Sequence, residues 1–151
     1  MTAYKPLWSL QLVRDRSVAY DSRVPVTDPT AAATIVRSII GIAAVEHMLC
    51  LYLDQRHRLL GVLPIGQGSV DRCLVDIATI ARGALLAGAT AIILAHNHPS
   101  GDPMPSPEDK TLTGRVKKAL EIIGIQVLDH VIVGDNAHAS MRETTNWETL
   151  N

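Results

Sequence analysis

The chain has 151 residues, 47% hydrophobic and 19% charged, a balance that supplies one folded domain with a core and excludes intrinsic disorder. With 14 basic and 15 acidic residues the formal charge is −1, which argues against a domain that grips nucleic acid mainly through a strong positive field. Phe is absent and aromatic residues make up 3%, so the core has to be built from Leu, Ile, Val and Ala.

Trp8, Leu10 and Leu12 alternate with Ser9 and Gln11, the period of a half-buried strand, and the polar, basic stretch from Arg14 to Val26 reads as a loop. Asp28 followed by Pro29 is an N-cap with proline at the first helical position. The helix it opens carries Ile35, Val36, Ile39 and Ile40 and ends at Gly41. Residues 45–53 are apolar almost throughout, which predicts a central strand covered on both faces. After a polar turn at Asp54 to Arg58, Leu59 to Ile65 return as a strand, and a short strand is expected near Cys73 to Val75. Asp76 caps a second helix with Ile77, Ile80, Ala81, Ala84 and Leu85 on one stripe, stopped by Gly88. Ala91 to Ala95 form an apolar strand that runs straight into His96-Asn97-His98, and a Pro/Gly-rich loop covers residues 99–105. Ser106 and Pro107 open a third helix that buries Leu112, Val116, Leu120 and Ile123 and closes at Gly124. Ile125 to Val133, a Gly134-Asp135-Asn136 turn and Ala137 to Met141 form a terminal hairpin. Helices alternating with strands before a hairpin predict a layered α/β domain with a mixed sheet.

Cys50 and Cys73 lie in apolar surroundings without CxxC or CxxH spacing, so buried free thiols of a reducing compartment are expected rather than a disulfide. The first residues, Met1 to Pro6, lack the unbroken apolar segment of a signal peptide, and no apolar run approaches the ~20 residues that span a bilayer. The expected setting is cytoplasmic, without a membrane partner.

Chemistry concentrates between His96 and Asp109. In extended chain, residues i and i+2 project to the same side, so His96 and His98 can present two imidazoles to one point. Asp109 falls in the first turn of the helix beginning at Ser106, close enough to supply a third ligand. Two histidines and a carboxylate with a fourth, open position is the arrangement of a catalytic zinc, which makes water acidic enough to yield hydroxide near neutral pH. The same residues also admit simpler readings: a polar loop after a strand, and a capping box in Ser106-Pro107-Glu108-Asp109. His47, His57, His130 and His138 could complete a closed structural site, although none has suggestive spacing. A hydrolytic zinc needs a base, and Glu46 is the glutamate that precedes the histidine pair and lies on the apolar 45–53 stretch. The alternative is a Glu that begins the strand exposed to water.

The pattern His-x-His, seven residues, Ser, two residues, Asp, with an upstream Glu, resembles the JAMM signature of JAB/MPN-domain metalloproteases, matched at His96, His98, Ser106 and Asp109. More closely, His-Asn-His-Pro-Ser-Gly-Asp-Pro from His96, the preceding Ala-Ile-Ile-Leu-Ala, and the run from Val127 to Asp135 look like the bacterial RadC family. The likeness runs from about Pro25 to Arg142, with residues 1–24 a strand and loop of the same domain that residues 25–151 build. The resemblance implies an α/β/α sandwich of the cytidine-deaminase type, with Zn2+ held by His96, His98 and Asp109 and water as fourth ligand. It implies Glu46 as general acid/base and Ser106 as hydrogen-bond donor to the oxyanion of the tetrahedral intermediate. Asn97 stands where JAMM enzymes often carry Ser or Thr, which leaves the metal geometry intact and points away from the ubiquitin-specific branch. Full-length RadC proteins carry an N-terminal helix-hairpin-helix region; with a first strand expected near Leu7, none is expected here.

The function these observations favour is a zinc-dependent metallopeptidase or isopeptidase acting on a peptide or protein substrate. One alternative is a DNA-repair or DNA-processing accessory using Arg115, Lys117, Lys118, Arg14, Arg16 and Arg23, residues that also read as a solvated helix face and a polar loop. Nucleic acid is therefore not expected as the main ligand. Another alternative is a catalytically silent zinc-binding MPN scaffold. A nucleobase deaminase would need His-x-Glu with Pro-Cys-x-x-Cys, and neither is present. His130 would either orient a ligand or lie on the solvent face of its strand. Apolar strands near either sheet edge would support a homodimer.

Overall fold

The computed structural model describes residues 11–12, 20–21, 23–40, 43–68 and 75–150. A strand that is apolar at every position has to serve two cores, and two strands here do so. In β1 (His47–Leu53), Leu49, Leu51 and Leu53 point to one side of the sheet while Cys50 and Tyr52 point to the other. In β3 (Ala91–Asn97), Ala91, Ile93 and Ala95 join the first side and Ile92 and Leu94 the second. With β2 (Leu59–Gln67), β4 (Gln126–Val133) and β5 (His138–Ser140) they form one sheet in the order β2-β1-β3-β4-β5. Only β3 and β4 run parallel, so the sheet is mixed.

Helix α1 (Pro29–Ile40) covers the first side with Ala32, Ala33, Ile35 and Val36. Helices α2 (Ile77–Ala87) and α3 (Pro107–Glu121) cover the second with Ile80, Ala84, Val116 and Leu120. A short α4 (Met141–Thr144) and a 3-10 turn at Trp147–Thr149 bury Met141 and Trp147 against that second core. The result is the layered α/β domain with a mixed sheet that the alternation of elements predicts, in the α/β/α arrangement that the family resemblance implies. Among the described residues no helix is long and apolar enough to cross a membrane.

The local stops and starts follow the capping residues. The Asp76 side chain accepts from the Ala78 amide, and Gly88, at φ 67°, ends α2 in the left-handed region that glycine tolerates. Several expectations shift. Leu85 is 62% exposed, because the buried stripe of α2 centres on Ile80, Gly83 and Ala84, which puts Leu85 beyond its edge. Ile123 is 42% exposed because α3 ends at Glu121, and Ile125 takes the buried place after the turn. Ser140 caps α4 through the Glu143 amide, so the last strand stops there and Met141 starts a helix rather than completing a hairpin arm. Trp8 and Leu10 of the expected first strand, most of the 14–26 loop, Gly41 and Cys73 lie outside the described residues; Gln11 and Leu12 have no regular structure and Val75 is in no strand. Cys50 is a buried free thiol whose pKa burial pushes up to about 12, which leaves it unreactive.

β4 breaks register once. Ile92 pairs with Val127 but Ile93 pairs with Asp129, so Leu128 is an extra residue, a β-bulge. The bulge reverses the alternation, and His130, opposite Leu94, falls on the second side with α3.

Where α2 meets β1, a Cβ on Gly83 would lie 2.2 Å from Tyr52 Oη, whose hydroxyl donates to the Ile80 carbonyl at 3.2 Å. Tyr52 is buried and pinned, so it cannot swing away. Gly83→Ala should lower unfolding stability by about 1–3 kcal/mol despite alanine's better helix propensity, measured by denaturant titration.

Candidate metal centre

Three chain segments converge at the end of β3. His96 is the penultimate residue of that strand and pairs across the sheet with Met48 of β1. Glu46 lies two residues before Met48 and therefore on the same side, at the mouth of β1, with its side chain 14% exposed. Asp109 is the third residue of α3, whose N-terminus packs over that side, and its side chain is fully buried.

The carboxylate does two jobs. Asp109 Oδ2 accepts from the Ser106 amide at 2.8 Å while Ser106 Oγ accepts from the Asp109 amide at 3.1 Å, so the expected capping box forms. Its Oδ1 stands 3.2 Å from His96 Nε2. The capping and ligand readings of Ser106-Pro107-Glu108-Asp109 are therefore not alternatives: Oδ2 caps while Oδ1 faces His96.

His98 leaves the strand with its amide bonded to the Val133 carbonyl at 2.9 Å, and its Nδ1 lies 2.8 Å from the Asp102 carbonyl oxygen. A carbonyl only accepts, so Nδ1 carries the hydrogen and, in the neutral ring, Nε2 is bare. The loop that provides Asp102 is locked by close backbone approach: Gly101, at φ 85°, accepts from the Asp135 amide at 3.4 Å. A Cβ on Gly134 would lie 2.1 Å from the Gly101 oxygen, so only glycine fits there.

His96 Nε2 and His98 Nε2 are 2.9 Å apart, and His98 Nε2 is 3.5 Å from Asp109 Oδ2. Ligands held about 2.0–2.2 Å from a tetrahedral ion stand roughly 3.3–3.6 Å from each other, close to these separations. Glu46 Oε1 lies 3.8 Å from His96 Nε2, and ligand atoms of Glu46, His96, His98 and Asp109 all fall within 4.8 Å of one another. Among the described residues this is the one such grouping, and Asp109 Oδ1 is the one buried side-chain polar atom without a hydrogen-bond partner. An orphaned carboxylate oxygen beside one imidazole nitrogen, with a second imidazole nitrogen 2.9 Å from the first, is what a divalent cation would satisfy, so the residues fit a metal ion. His47, His57 and His138 do not enter the group.

Electrostatics agree with the geometry. Burial pushes the Asp109 carboxyl up, but His96 and His98 beside it outweigh burial and hold it well below the usual carboxylate range. The Asp109 carboxylate raises His98 above its ordinary value against a partial desolvation penalty. Burial pushes His130 well down.

Asn97 has a part that its position between the histidines did not suggest. Alternation sends it to the opposite side of the sheet, where its Oδ1 accepts from the His47 amide at 2.7 Å and its Nδ2 donates to the Val45 carbonyl at 3.1 Å. It clamps the backbone on both sides of Glu46. The signal was present, since a buried Asn at a strand end has to find backbone partners. Of the candidate basic residues, Lys117 donates to the Trp147 carbonyl and lies 4.5 Å over its ring, and Arg23 pairs with Asp21 at 3.0 Å. Arg14 and Arg16 lie outside the described residues.

A three-layer α/β/α domain with a His-x-His strand end set against a capped aspartate is the architecture of a JAB domain with a candidate metal site. A model of the RadC-like JAB domain matches residues 26–147, and the chain belongs to that family. A UPF0758 protein of Carboxydothermus hydrogenoformans is 41% identical over 141 residues, covering 93% of this chain and 62% of that protein. UPF0758 proteins of Pseudomonas fluorescens and Desulforudis audaxviator are 42% and 41% identical over 115 and 117 residues, covering 76% and 78% of this chain and 51% of each relative. The chain thus spans between half and two thirds of the length of these curated relatives.

Two outcomes follow from this geometry. Asn97→Ala leaves the His47 amide and Val45 carbonyl without their partner and should cost about 1–3 kcal/mol, with faster hydrogen exchange at the His47 amide. Metal ligands bind deprotonated, and His98, raised above 6.5, holds its proton to higher pH than an ordinary histidine. Affinity for added Zn2+ or Co2+ should therefore fall as pH drops through that raised value, by up to about tenfold per pH unit for the one proton displaced. Calorimetry in buffers of different ionisation enthalpy reads that proton directly.

Proposed function

We propose that the chain is a zinc-dependent hydrolase of peptide or isopeptide bonds, with His96, His98 and Asp109 as the metal ligands. The observation that carries this reading is the buried, orphaned Asp109 Oδ1, 3.2 Å from His96 Nε2, which itself stands 2.9 Å from His98 Nε2: a donor set of two nitrogens and one carboxylate. When bound, zinc supplies Lewis acidity that makes water nucleophilic near neutral pH and polarises a carbonyl.

The chain's own residues supply the rest. Glu46 takes the proton of the attacking water and hands it to the leaving amine; its carboxylate sits on the wetter side of the group, unlike Asp109, which water does not reach. Ser106 donates to the oxyanion that develops on the scissile carbonyl. Its capping bond uses the hydroxyl only as an acceptor, so the proton is still available for donation. Both tasks fit one hydroxyl. The proposed substrate is a peptide or protein segment rather than nucleic acid, since Lys117 is engaged with Trp147, and the proposed setting is cytoplasmic.

Elemental analysis should find about one zinc per chain, lost in both His98→Ala and Asp109→Ala. Retention of zinc in both variants would overturn the ligand assignment. Glu46→Gln should keep the zinc while peptide-library cleavage falls roughly 10²–10⁴-fold. Cleavage at the wild-type rate in Glu46→Gln would overturn the mechanism, and zinc without any cleavage by the wild type would leave a silent scaffold.

A further inference from the structure

His130 is fully buried, and neither of its ring nitrogens meets a carboxylate: Nε2 lies 2.8 Å from His96 Nδ1, and Nδ1 lies 2.7 Å from Thr113 Oγ1. Where the protons sit along this row is decided at its far end. Thr113 Oγ1 stands 2.6 Å from the Asp109 carbonyl oxygen, one turn back in α3, and a carbonyl oxygen can only accept. The single hydroxyl proton is committed there; the Met141 sulfur, at 3.7 Å, is a weak competitor.

Toward His130 the hydroxyl therefore offers only lone pairs, and His130 Nδ1–H donates to it. A neutral imidazole has one N–H, so His130 Nε2 accepts, and the donor to it is His96 Nδ1–H. His96 is left with a bare Nε2, aimed at the space it shares with His98 and Asp109.

We propose that Thr113 and His130 are positioning residues that fix His96 as its Nδ1–H tautomer and so keep Nε2 open to the ion. The row matters because the opposite tautomer is attractive on local grounds. With its hydrogen on Nε2, His96 would donate to Asp109 Oδ1, satisfy the orphaned oxygen and close the site. The Asp102 carbonyl imposes the same state on His98, so two bare Nε2 atoms face each other at 2.9 Å, a repulsive contact that a cation turns into ligation. The bulge at Leu128 makes the row possible, since without it His130 would point to the α1 side. This inference deepens the metal-centre reading and rests on it for its purpose, though the tautomer exists independently of any reaction.

The test uses the metal-free full chain with 15N-labelled histidine at mildly alkaline pH, where long-range 1H–15N correlation spectra report which ring nitrogen is protonated. The expected result is a hydrogen on Nδ1 of both His96 and His130. Thr113→Val should move His96 toward the Nε2–H form and weaken Zn2+ binding about 10–100-fold in competition with a chromophoric chelator. Thr113→Ser should restore both. A hydrogen on His96 Nε2 in the wild type overturns the proposal, as does Thr113→Val with unchanged tautomer and zinc affinity. Should that variant not fold, the wild-type spectrum alone decides. Neither readout uses hydrolysis, so a chain that shows the expected tautomer, binds zinc and never cleaves would support the row while ending the hydrolase reading, and a failed tautomer leaves that reading standing.

Discussion

Everything at this site follows from a carboxylate placed where water cannot reach it. Burying an ionised Asp costs several kcal/mol unless its oxygens are matched by donors or cations. Asp109 meets half of that requirement within its own helix, through the Ser106 amide and the positive end of α3. Its other oxygen is turned toward His96, with His98 beside the pair, which is why a strand end and a helix start have to meet at one point. The order of the sheet serves that meeting. β3 lies beside β1, so Glu46 is delivered next to His96, and it lies beside β4, so His130 is delivered behind it.

The three residues His96, Asn97 and His98 divide their work by the pleat of the chain. The two histidines face α3, and Asn97 faces the other way and holds the backbone that carries Glu46. A single short segment thus presents the two candidate ligands on one side and, from the other, holds the backbone that carries Glu46. Glycine at 101 and 134 lets the following loop lie against the β4–β5 turn, which presents the Asp102 carbonyl to His98. These contacts restrict how the histidine rings can rotate.

The difference in exposure between the two carboxylates gives them different parts. Asp109 is sealed and held ionised, suited to staying fixed beside a cation. Glu46 stands at the edge, where protons can come and go. The chain belongs to the RadC-like JAB family, and its curated relatives are longer than the part this chain covers.

Much of this was legible in the residues. Runs that are apolar at every position, at 47–53 and 91–95, have only one stable place, between two layers, and the Asp and Ser caps with following Pro or helical stripes marked the helices. The i, i+2 spacing of the histidines and the N3 position of Asp109 are local geometry, so their convergence needed no knowledge of the rest of the chain. Burial at element ends was less legible. Leu85 and Ile123 satisfy the helical period, but which edge of a stripe is covered depends on where the neighbouring strand, here Tyr52 against Gly83, allows the helix to sit. His130 was undecidable from alternation, because one extra residue at Leu128 inverts the side on which everything after it projects. Asn97 likewise shows its partners only once β1 is laid beside β3. The sequence by itself determined the layers and the candidate ligand set, since both rest on periodicity within single elements. Only the tertiary structure decided which groups hold those ligands in place, because that depends on register between strands far apart in the chain.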